Sequence, residues 1–379
     1  MREIASRQSI DRRRFLRAAV GAAATGAVSG FMPLRAMAIA RKPKVVVVTF
    51  GGGARDEETF AAEGQENIPH MLGELIPQGT FYTQVINHGI LGHYVATASL
   101  ATGAYETLNN FASTAPENPT VFEYFRRDLK RPAEDAWVVA PSNGFNRIGG
   151  SRRTGYGPAF GAEVVLPKQL LAAALSTGSN LDYEHLLRDN YETPLFAPAI
   201  DATGVGLRRT AEILKLSVED FTTHARSLAS PDELSVYIAR QLMAQVAPSL
   251  LWLTLHDIDI AHSGAYSLYL DGIRRSDRLC AEIWRAIEAN PEYKGRTTMF
   301  ILPDFGRDSD TNPAGNGFQH HRTGDALSRT TWMLAMGPGV RQNAVVDRPV
   351  DSLDLVPTLG SLMGFSPRYA KGKPLHEVL

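Results

Sequence analysis

Residues 297–310, TTMFILPDFGRDSD, decide the fold class because they read as a buried strand followed at once by charged side chains. The apolar run ends at Pro303, and Asp304 stands where the chain leaves the sheet. Similar apolar, β-branched runs occupy residues 44–50, 81–86, 136–140, 250–255 and 331–336. Continuous runs of this kind are typical of strands buried on both faces of a sheet. The sequence therefore predicts an α/β fold in which a mainly parallel sheet lies between layers of helices.

Helical patterns separate these runs, at residues 67–78, 93–101, 120–130, 230–247, 265–290 and 354–363. The fourth has the clearest start, because Ser230 is a good N-cap and Pro231 suits the first helical position. Residues 142–205 differ, since they are rich in Gly and Pro. Irregular segments of that length are usually lids or insertions. We expect an insertion at about 142–205, beside the carboxyl edge of the sheet.

The N-terminal segment reads as an export signal. Paired arginines at Arg12 and Arg13 precede Phe15 and a weakly apolar Ala/Gly stretch, and Ala36-Met37-Ala38 resembles a cleavage site. This pattern is typical of twin-arginine signals. We expect residues 1–38 to engage the twin-arginine translocase and to be removed. Residues 39–379 would then form one α/β domain, periplasmic or secreted.

The charge of the remaining chain argues against nucleic acid as a partner. Residues 1–38 hold seven of the 39 basic and two of the 40 acidic residues, which leaves 32 and 38 and a net charge of −6. No basic footprint remains. No other apolar run approaches the roughly 20 residues that span a bilayer. The single Cys280 cannot form an internal disulfide.

Chemistry-bearing side chains follow several of the predicted strands. Gly51, Gly52, Gly53 and Arg55 follow the first strand, and HDIDIAHSG (256–264) follows the strand at 250–255. Asp304 follows residues 297–302, and GFQHH (317–321) precedes the last strand. In open α/β sheets the ligand site lies beyond the carboxyl ends of the strands. We therefore expect these carboxylates and imidazoles to converge.

The order of these features resembles the alkaline phosphatase superfamily, which includes sulfatases, nucleotide phosphodiesterases and cofactor-independent phosphoglycerate mutases. The similarity runs from about residue 44 to 364 and rests on short motifs in the family's order. These are NIPHMLGELIPQGTFYTQVI (67–86), SLATG (99–103), the Asp…His-x-Gly segment (257–264), LPDFG (302–306), GFQHH (317–321), GPGV (337–340) and DSLDLVPTLGSLMG (351–364).

The resemblance implies metal chemistry on a small anionic ester. Members of this family use two divalent metals, which activate a nucleophile and neutralise the oxygens of the ester. One site takes an Asp and a His after a mid-chain strand and a later His. The candidates here are Asp257, Asp259, His262, His320 and His321, with one Asp and one of the paired histidines used. Oxygen and nitrogen ligands suit one zinc or manganese ion. The spacing from Asp to His262 differs by one residue from the family pattern, whichever Asp is chosen. The alternative to a metal site is an acidic surface loop with unrelated histidines.

The second metal site of the family departs further from its pattern. The usual spacing places His93 where a Thr, Ser or Cys nucleophile is expected. The first Asp falls on Gly51, and the His of the Asp-His pair falls on Phe305. Only Asp304 of that site remains. A phenyl ring cannot bind a cation, and a glycine offers at most its backbone carbonyl.

Two interpretations of this loss stay open. In the first, the site is rebuilt: His93 at a helix N-terminus binds metal or accepts a phosphoryl group, and Arg55 supplies positive charge. The amides of Gly51, Gly52 and Gly53 would cradle an oxyanion near Asp304. The nearby Asp308 and Asp310 are further candidate ligands. In the second, the fold persists without turnover, because no hydroxyl or thiol nucleophile remains.

The sequence therefore predicts an exported metal-dependent hydrolase or transferase that acts on a phosphate or sulfate ester. The alternative is a catalytically silent ligand-binding protein of the same fold. A metal carrier or a partner subunit is a third possibility, for which the sequence shows no dedicated surface. The substrate is not encoded in any motif, because specificity in this superfamily depends on insertions such as residues 142–205.

Overall fold

The computed structural model describes residues 42–112, 114–175, 181–187, 205–215, 217–310 and 314–379. The predicted export signal and parts of the predicted insertion, residues 176–180 and 188–204, lie outside these residues. Within them, eight strands form one sheet: β1 Lys44–Thr49, β2 Gly79–Ile86, β3 Ala136–Val139, β4 Glu163–Val165, β5 Leu250–Thr254, β6 Thr297–Leu302, β7 Thr330–Met336 and β8 Ala344–Asp351.

The sheet is mainly parallel, as the apolar runs predict. Its strand order is β4-β3-β5-β1-β6-β7-β2-β8. Only β7 is reversed within this sheet, since it pairs antiparallel with both β6 and β2, while the other pairs are parallel. The start of β7 therefore lies at the same edge as the carboxyl ends of β1, β5 and β6. This reversal brings the residues that precede β7 to the edge where a site is expected.

The helices in the described residues agree with most of the predicted ones. They are α1 His93–Thr102, α2 Val121–Asp128, α3 Pro167–Ala174, α4 Glu184–Leu187, α5 Val205–Leu214, α6 Val218–Ala225, α7 Pro231–Gln245, α8 Tyr266–Ala289, α9 Ala326–Arg329 and α10 Leu355–Met363. The single helix predicted at 67–78 is wrong in detail. Short 3₁₀ and π turns stand there instead. Pro77 within this stretch lacks the N–H that a regular helix needs.

The sequence pattern misses two strands, β4 and β8, and both lie at the edges of the sheet. Four of the eight residues of β8 are polar or proline, and β4 is only three residues long. Edge strands are covered on fewer sides, so they need no continuous apolar run, and they tolerate a proline such as Pro349. Because β4 falls within the predicted insertion, part of that segment extends the sheet.

Alternate residues of β1 serve two separate cores. Val46 and Val48 belong to the core on one face, together with apolar residues of α7 and α8. Val45 and Val47 belong to the core on the other face, with residues of α1, α2 and α10. This arrangement follows from the two-residue period of a strand and gives three layers. No helix in the described part of the chain is long and apolar enough to cross a membrane.

Candidate metal centre

His93 is the first residue of α1, and the sequence around it fixes that position. The helix is buried along its whole length. Gly92 is its N-cap, with extended backbone, and a Cβ there would lie 2.5 Å from Asn110 Oδ1. The same Asn110 oxygen accepts a hydrogen bond from Tyr94 N at 3.1 Å, which satisfies one free amide of the first turn. The imidazole of His93 is therefore held at the amino end of a rigid helix.

The turn after β5, Asp257–Ser263, carries two further polar side chains of the site. Asp232, in the first turn of α7, accepts hydrogen bonds from His256 N and Asp257 N, each at 2.8 Å. Burial, with the nearby charge of Asp257, raises the pKa of Asp232 well above its usual range. On the other side, a Cβ on Gly52 would lie 2.6 Å from Asp259 N. Asp232 and Gly52 therefore hold the turn from opposite sides, and this fixes the direction of the Asp259 side chain.

The loop after β6 contributes Asp304 and a buried cation, Arg307. The Arg307 side chain is fully buried and donates from Nη2 to Asp259 Oδ1 at 2.9 Å. It also donates from Nε to the Gly53 carbonyl at 3.1 Å and from Nη1 to the Phe318 carbonyl at 3.0 Å. This one guanidinium therefore ties together the segments that follow β1, β5 and β6.

Four potential metal ligands converge from these elements: His93, Asp259, His262 and His321. One ligand atom of each lies within 4.8 Å of all the others. Asp259 Oδ1 is 2.9 Å from His93 Nε2 and 3.2 Å from His262 Nε2. His262 Nε2 is 2.8 Å from His321 Nε2. Among the described residues, this is the one group of at least three such side chains so arranged. We call it the metal cluster.

Hydrogen bonds on the far side of two imidazoles direct their lone pairs inward. His93 Nδ1 lies 2.7 Å from Asp304 Oδ2, and His321 Nδ1 lies 2.8 Å from the Leu91 carbonyl. The carbonyl can only accept, so His321 Nδ1 carries a proton and its Nε2 lone pair faces His262. Carboxylate or carbonyl partners of this kind are typical of metal-bound histidines.

The buried Nε2 atom of His93 makes no hydrogen bond within the described residues, although it lies 2.9 Å from Asp259 Oδ1. Buried polar atoms are rarely left in this state without a ligand or a functional role. Three imidazole nitrogens and one carboxylate oxygen suit zinc, whose ligands lie about 2.0–2.2 Å from the ion, and they also accommodate manganese. The residues present therefore fit a divalent metal ion.

The charges around the metal cluster show where a cation is stabilised. Burial opposes a charge on His93, but Asp259 and Asp304 outweigh it and raise its pKa to about 10. Burial and the charge on His93 lower the pKa of His321 to about 2 and that of His256 to about 4. For Asp259, burial favours protonation, yet His93 and His262 bring its pKa well below the usual range. The site thus favours one positive charge between the two carboxylates, supplied by a proton or by a metal ion.

Phe305 occupies the position where the family pattern predicts a histidine, and it packs against the metal cluster. Its ring is fully buried, with its centroid 4.7 Å from that of His93 and 4.5 Å from that of His321. Leu91 and Ala96 complete this small apolar group. The phenyl ring supports two candidate ligands from behind and supplies no ligand itself.

Two of the predicted metal ligands lie apart from the metal cluster. Asp257 Oδ2 forms an ion pair with Arg275 Nη1 at 2.9 Å. His320 is half-buried, and its backbone oxygen accepts from Asp308 N at 2.9 Å. The structure therefore distinguishes between the alternatives that the sequence left open. It brings together Asp259 rather than Asp257, and His321 rather than His320.

Arg55 is engaged in a separate group of charges, which we call the arginine cluster: Arg55, Glu58, Asp310 and Tyr269. Arg55 Nε lies 3.1 Å from both carboxylate oxygens of Glu58, and its Nη1 lies 2.8 Å from Asp310 Oδ1. Glu58 is fully buried and also accepts from Tyr269 Oη at 3.1 Å. Arg55 does not line the cavity beside the metal cluster.

The three glycines after β1 serve close packing between loops. A Cβ on Gly51 would lie 1.6 Å from the Leu255 carbonyl oxygen, and one on Gly53 would lie 2.5 Å from that of Phe305. Gly52 and Gly53 also have positive φ angles, which favour glycine. Gly51, Gly52 and Gly53 are thus explained by contacts with the loops after β5 and β6, whatever contribution their amides make to a ligand.

A cavity of about 430 Å³ opens beside the metal cluster. Its volume is in the range typical of small-molecule sites. Besides the four candidate ligands, its walls include Tyr94, Asn110, Phe111, Ser142, Phe145 and His256. Ser142 and Phe145 come from the start of the predicted insertion, so that segment contributes to the pocket.

No sequence motif assigns a role to His256 or Arg307. His256 Nε2 is buried, makes no hydrogen bond within the described residues and lies 3.6 Å from Asp259 Oδ2. The signal for His256 was its place directly after a buried strand. The signal for Arg307 was a single cation in the acidic run 304–310, where a buried carboxylate needs a partner.

Several solved enzyme structures have a fold similar to that of this chain. Wild-type alkaline phosphatase PafA aligns with a TM-score of 0.54 over 92% of this chain and 100% of that chain, at 13% identity. Phosphonate monoester hydrolase of Agrobacterium radiobacter gives 0.55, over 88% and 76% at 14% identity. Lipoteichoic acid synthase LtaP from Listeria monocytogenes gives 0.51, over 86% and 73% at 12% identity.

No family model matches the sequence, and no curated protein matches it. At such low identity, the structural neighbours establish the fold and leave the activity open. The chain has the fold of the alkaline phosphatase superfamily, as its ordered motifs indicate.

Proposed function

We propose that this protein is a metal-dependent hydrolase or transferase of a phosphate or sulfate ester, with one zinc or manganese ion held by His93, Asp259, His262 and His321. The observation that carries the proposal is the group of four potential ligand atoms within 4.8 Å of one another, whose residues also line a cavity. The bound ion would act as a Lewis acid on the ester oxygens. Asp304 and Arg307 are positioning residues, since they act through His93 and Asp259.

In this proposal His93 is a ligand, which leaves the attack on the ester to water. We assign His256 to accept the proton from that water, because it lines the cavity and its Nε2 makes no hydrogen bond within the described residues. The water oxygen bonds to phosphorus or sulfur, the bond to the ester oxygen breaks, and the proton passes from His256 to the departing alcohol. For transfer, a second alcohol replaces water.

A catalytically silent ligand-binding protein is the second candidate. It is supported by the histidine at position 93, which replaces a hydroxyl or thiol nucleophile, and by Phe305 in the place of a ligand. On this alternative the metal cluster still binds an ion and the cavity still binds a ligand, but no ester is cleaved. Metal content and turnover therefore have to be measured separately.

Metal analysis of exported, never refolded protein tests the proposal. We expect about one zinc or manganese per chain by inductively coupled plasma mass spectrometry. Removal with a chelator should lower the melting temperature and abolish hydrolysis of 4-nitrophenyl esters, and the metal should restore both. His321→Ala should lose the ion, while His320→Ala, the adjacent control, should retain it.

The outcomes separate the candidates. Protein that binds neither zinc nor manganese, and whose melting temperature is unchanged by either, contradicts the metal site itself. Protein that binds one ion but cleaves no phosphate or sulfate ester is the silent binder. Loss of the ion from His320→Ala but not from His321→Ala would show that the ligands are misassigned.

We also propose export by the twin-arginine route to the periplasm or beyond, on the basis of Arg12 and Arg13. Replacing both by Lys should leave the protein in the cytoplasm with its N-terminal segment uncleaved. Cell fractionation and N-terminal sequencing would detect this, and unchanged export of the variant would refute the proposed route.

A further inference from the structure

The cavity beside the metal cluster has an aromatic wall. Tyr94 and Phe145 meet edge to face with ring centroids 5.9 Å apart, and Phe145 meets His256 in the same way at 6.2 Å. His256 in turn meets His93 at 4.8 Å. The wall therefore runs without interruption from the pocket to a candidate metal ligand. Phe111, whose side chain is largely exposed, also lines the cavity.

This wall favours an apolar ring as the organic part of the ligand. Aromatic side chains offer a large apolar surface and prefer offset or edge-to-face contacts with other rings. Outside the four candidate metal ligands, the polar side chains of the lining are those of Tyr94, Asn110, Ser142 and His256, and none of them is charged at neutral pH. A sugar or a polyphosphate would need many more hydrogen-bonding groups to replace its lost hydration.

The cavity lining in the described residues contains no Lys or Arg side chain. Arg307, which lies next to the metal cluster, gives all its assigned hydrogen bonds to Asp259 and to two backbone carbonyls. Arg55 is paired with Glu58 and Asp310. Lys168 acts on the charge of His256 but does not line the cavity.

The formal charges at the metal cluster then limit the charge of the ligand. With neutral imidazoles, one divalent ion offsets Asp259 and Asp304, and Arg307, bonded to Asp259, leaves a single positive charge in excess among the metal cluster and its direct partners. A singly charged ester neutralises that excess. A doubly charged ester brings a second negative charge. Among the described residues, no Lys or Arg side chain lines the cavity to pair with it, and an unpaired charge is costly in a poorly hydrated site.

We propose that the ester carries one negative charge and an aryl or similarly apolar alcohol. This chemistry is shared by aryl sulfates, aryl phosphate diesters and aryl phosphonate monoesters, and it excludes the dianionic phosphate monoester as the preferred substrate. The inference rests on the proposed function, because the metal ion supplies the attraction for the anion.

Binding of unreactive ligands tests this inference without any turnover. The probes are benzenesulfonate, phenylphosphonate and methanesulfonate, added to metal-loaded protein at pH 8.5, where phenylphosphonate is doubly charged. We expect calorimetry to show benzenesulfonate binding at least tenfold more tightly than either of the others. Phenylphosphonate binding equally or more tightly overturns the charge assignment, and methanesulfonate binding equally overturns the aryl assignment.

Two further experiments test whether the ligand binds at the aromatic wall and which ester is preferred. Phe145→Leu keeps an apolar side chain but removes the ring, so it should weaken benzenesulfonate binding at least fivefold and leave methanesulfonate binding unchanged. With 4-nitrophenol as the common leaving group, 4-nitrophenyl sulfate and 4-nitrophenyl phenylphosphonate should each exceed 4-nitrophenyl phosphate at least tenfold in kcat/KM. Which of the first two is faster distinguishes sulfate from phosphonate chemistry.

Failure of this inference is distinguishable from failure of the proposed function. Protein without a metal ion contradicts the proposed function, and the inference falls with it. Metal-loaded protein that binds none of the three ligands, or prefers phenylphosphonate, contradicts the inference alone. A preference for benzenesulfonate without cleavage of any ester supports the inference in a silent binding protein.

Discussion

Two polar clusters lie at the same edge of the sheet, and they differ in whether their charged and polar groups are paired within the protein. In the arginine cluster, Arg55 meets the carboxylates of Glu58 and Asp310, and a tyrosine hydroxyl donates to Glu58 as well. In the metal cluster, two imidazole nitrogens lie 2.8 Å apart, and the Nε2 atom of His93 has no hydrogen bond within the described residues.

The comparison shows why burial and charge alone do not identify a functional site. Both clusters contain a buried carboxylate, Glu58 in one and Asp259 in the other, and both include candidates from the sequence, such as Arg55 and His93. The arginine cluster is complete as it stands, because donors and acceptors match. The metal cluster needs a positive charge among its ligand atoms, from a metal ion or from a proton on His93, to offset its carboxylates. We therefore expect Arg55 to contribute to stability and His93 to be the better candidate for chemistry.

The largest effect is expected from Asp259→Ala. This substitution removes a metal ligand and leaves the fully buried Arg307 without its carboxylate. Breaking a buried ion pair typically costs about 3–5 kcal/mol, so the free energy of unfolding should fall by that amount. Metal should no longer be retained through gel filtration. Urea denaturation and metal analysis would measure the two effects.

Asp257→Ala is the matched control, two residues away in the same turn. Its partner Arg275 is partly exposed, with a quarter of its side chain accessible. We expect a loss of at most about 1 kcal/mol, with metal retained. If the two variants behave alike, Asp259 has no special place in the site.

Arg55→Met should have the next largest effect, on stability alone. It leaves Glu58 buried without its main partner, which should cost about 3 kcal/mol in urea denaturation. The metal content should stay at the wild-type level. Replacing Glu58 by Leu as well should recover most of the loss, because an apolar pair can substitute for a buried ion pair. If the Arg55→Met protein folds but loses the ion or its affinity for ligands, the arginine cluster contributes to the functional site and does not only stabilise the fold.

Phe305→Leu should have the smallest effect. It tests whether a residue that contacts the metal cluster without being a ligand contributes to metal binding. The change nearly conserves volume, so a loss of about 1 kcal/mol in the free energy of unfolding is expected. Because the ring packs on His93 and His321, the metal affinity should fall by about tenfold, the lower range for groups that orient ligands. Competition with a metal-sensitive dye would measure this. An unchanged affinity would show that the ring does not orient the histidines.

Much of the fold could be predicted because buried parallel strands leave a strong pattern. Residues 44–49 and 297–302 each contain four consecutive apolar residues, and the structure places them as the adjacent, fully buried strands β1 and β6. The edge strands β4 and β8 could not be found in the same way. All but one residue of each strand are half-buried or exposed, so their sequences are not constrained to be apolar.

The site could be predicted only as a set of alternatives. Asp257 and Asp259 lie in one short turn, and nothing in their sequence tells which side chain faces the histidines. The answer depends on Asp232, which holds the turn from a helix some 25 residues earlier, and on the close approach of Gly52. His320 and His321 are adjacent, and the contact of His321 with the Leu91 carbonyl decides between them.

The sequence by itself determined the α/β class, the main strands and the edge of the sheet where polar side chains gather. Those features depend on apolar periodicity summed over many residues, so single exceptions do not obscure them. Only the tertiary structure decided which lone pairs meet and which charges are already paired. Hydrogen bonds and metal coordination depend on tenths of an ångström and on angles between atoms of distant segments, and such distances are set by packing of the whole chain.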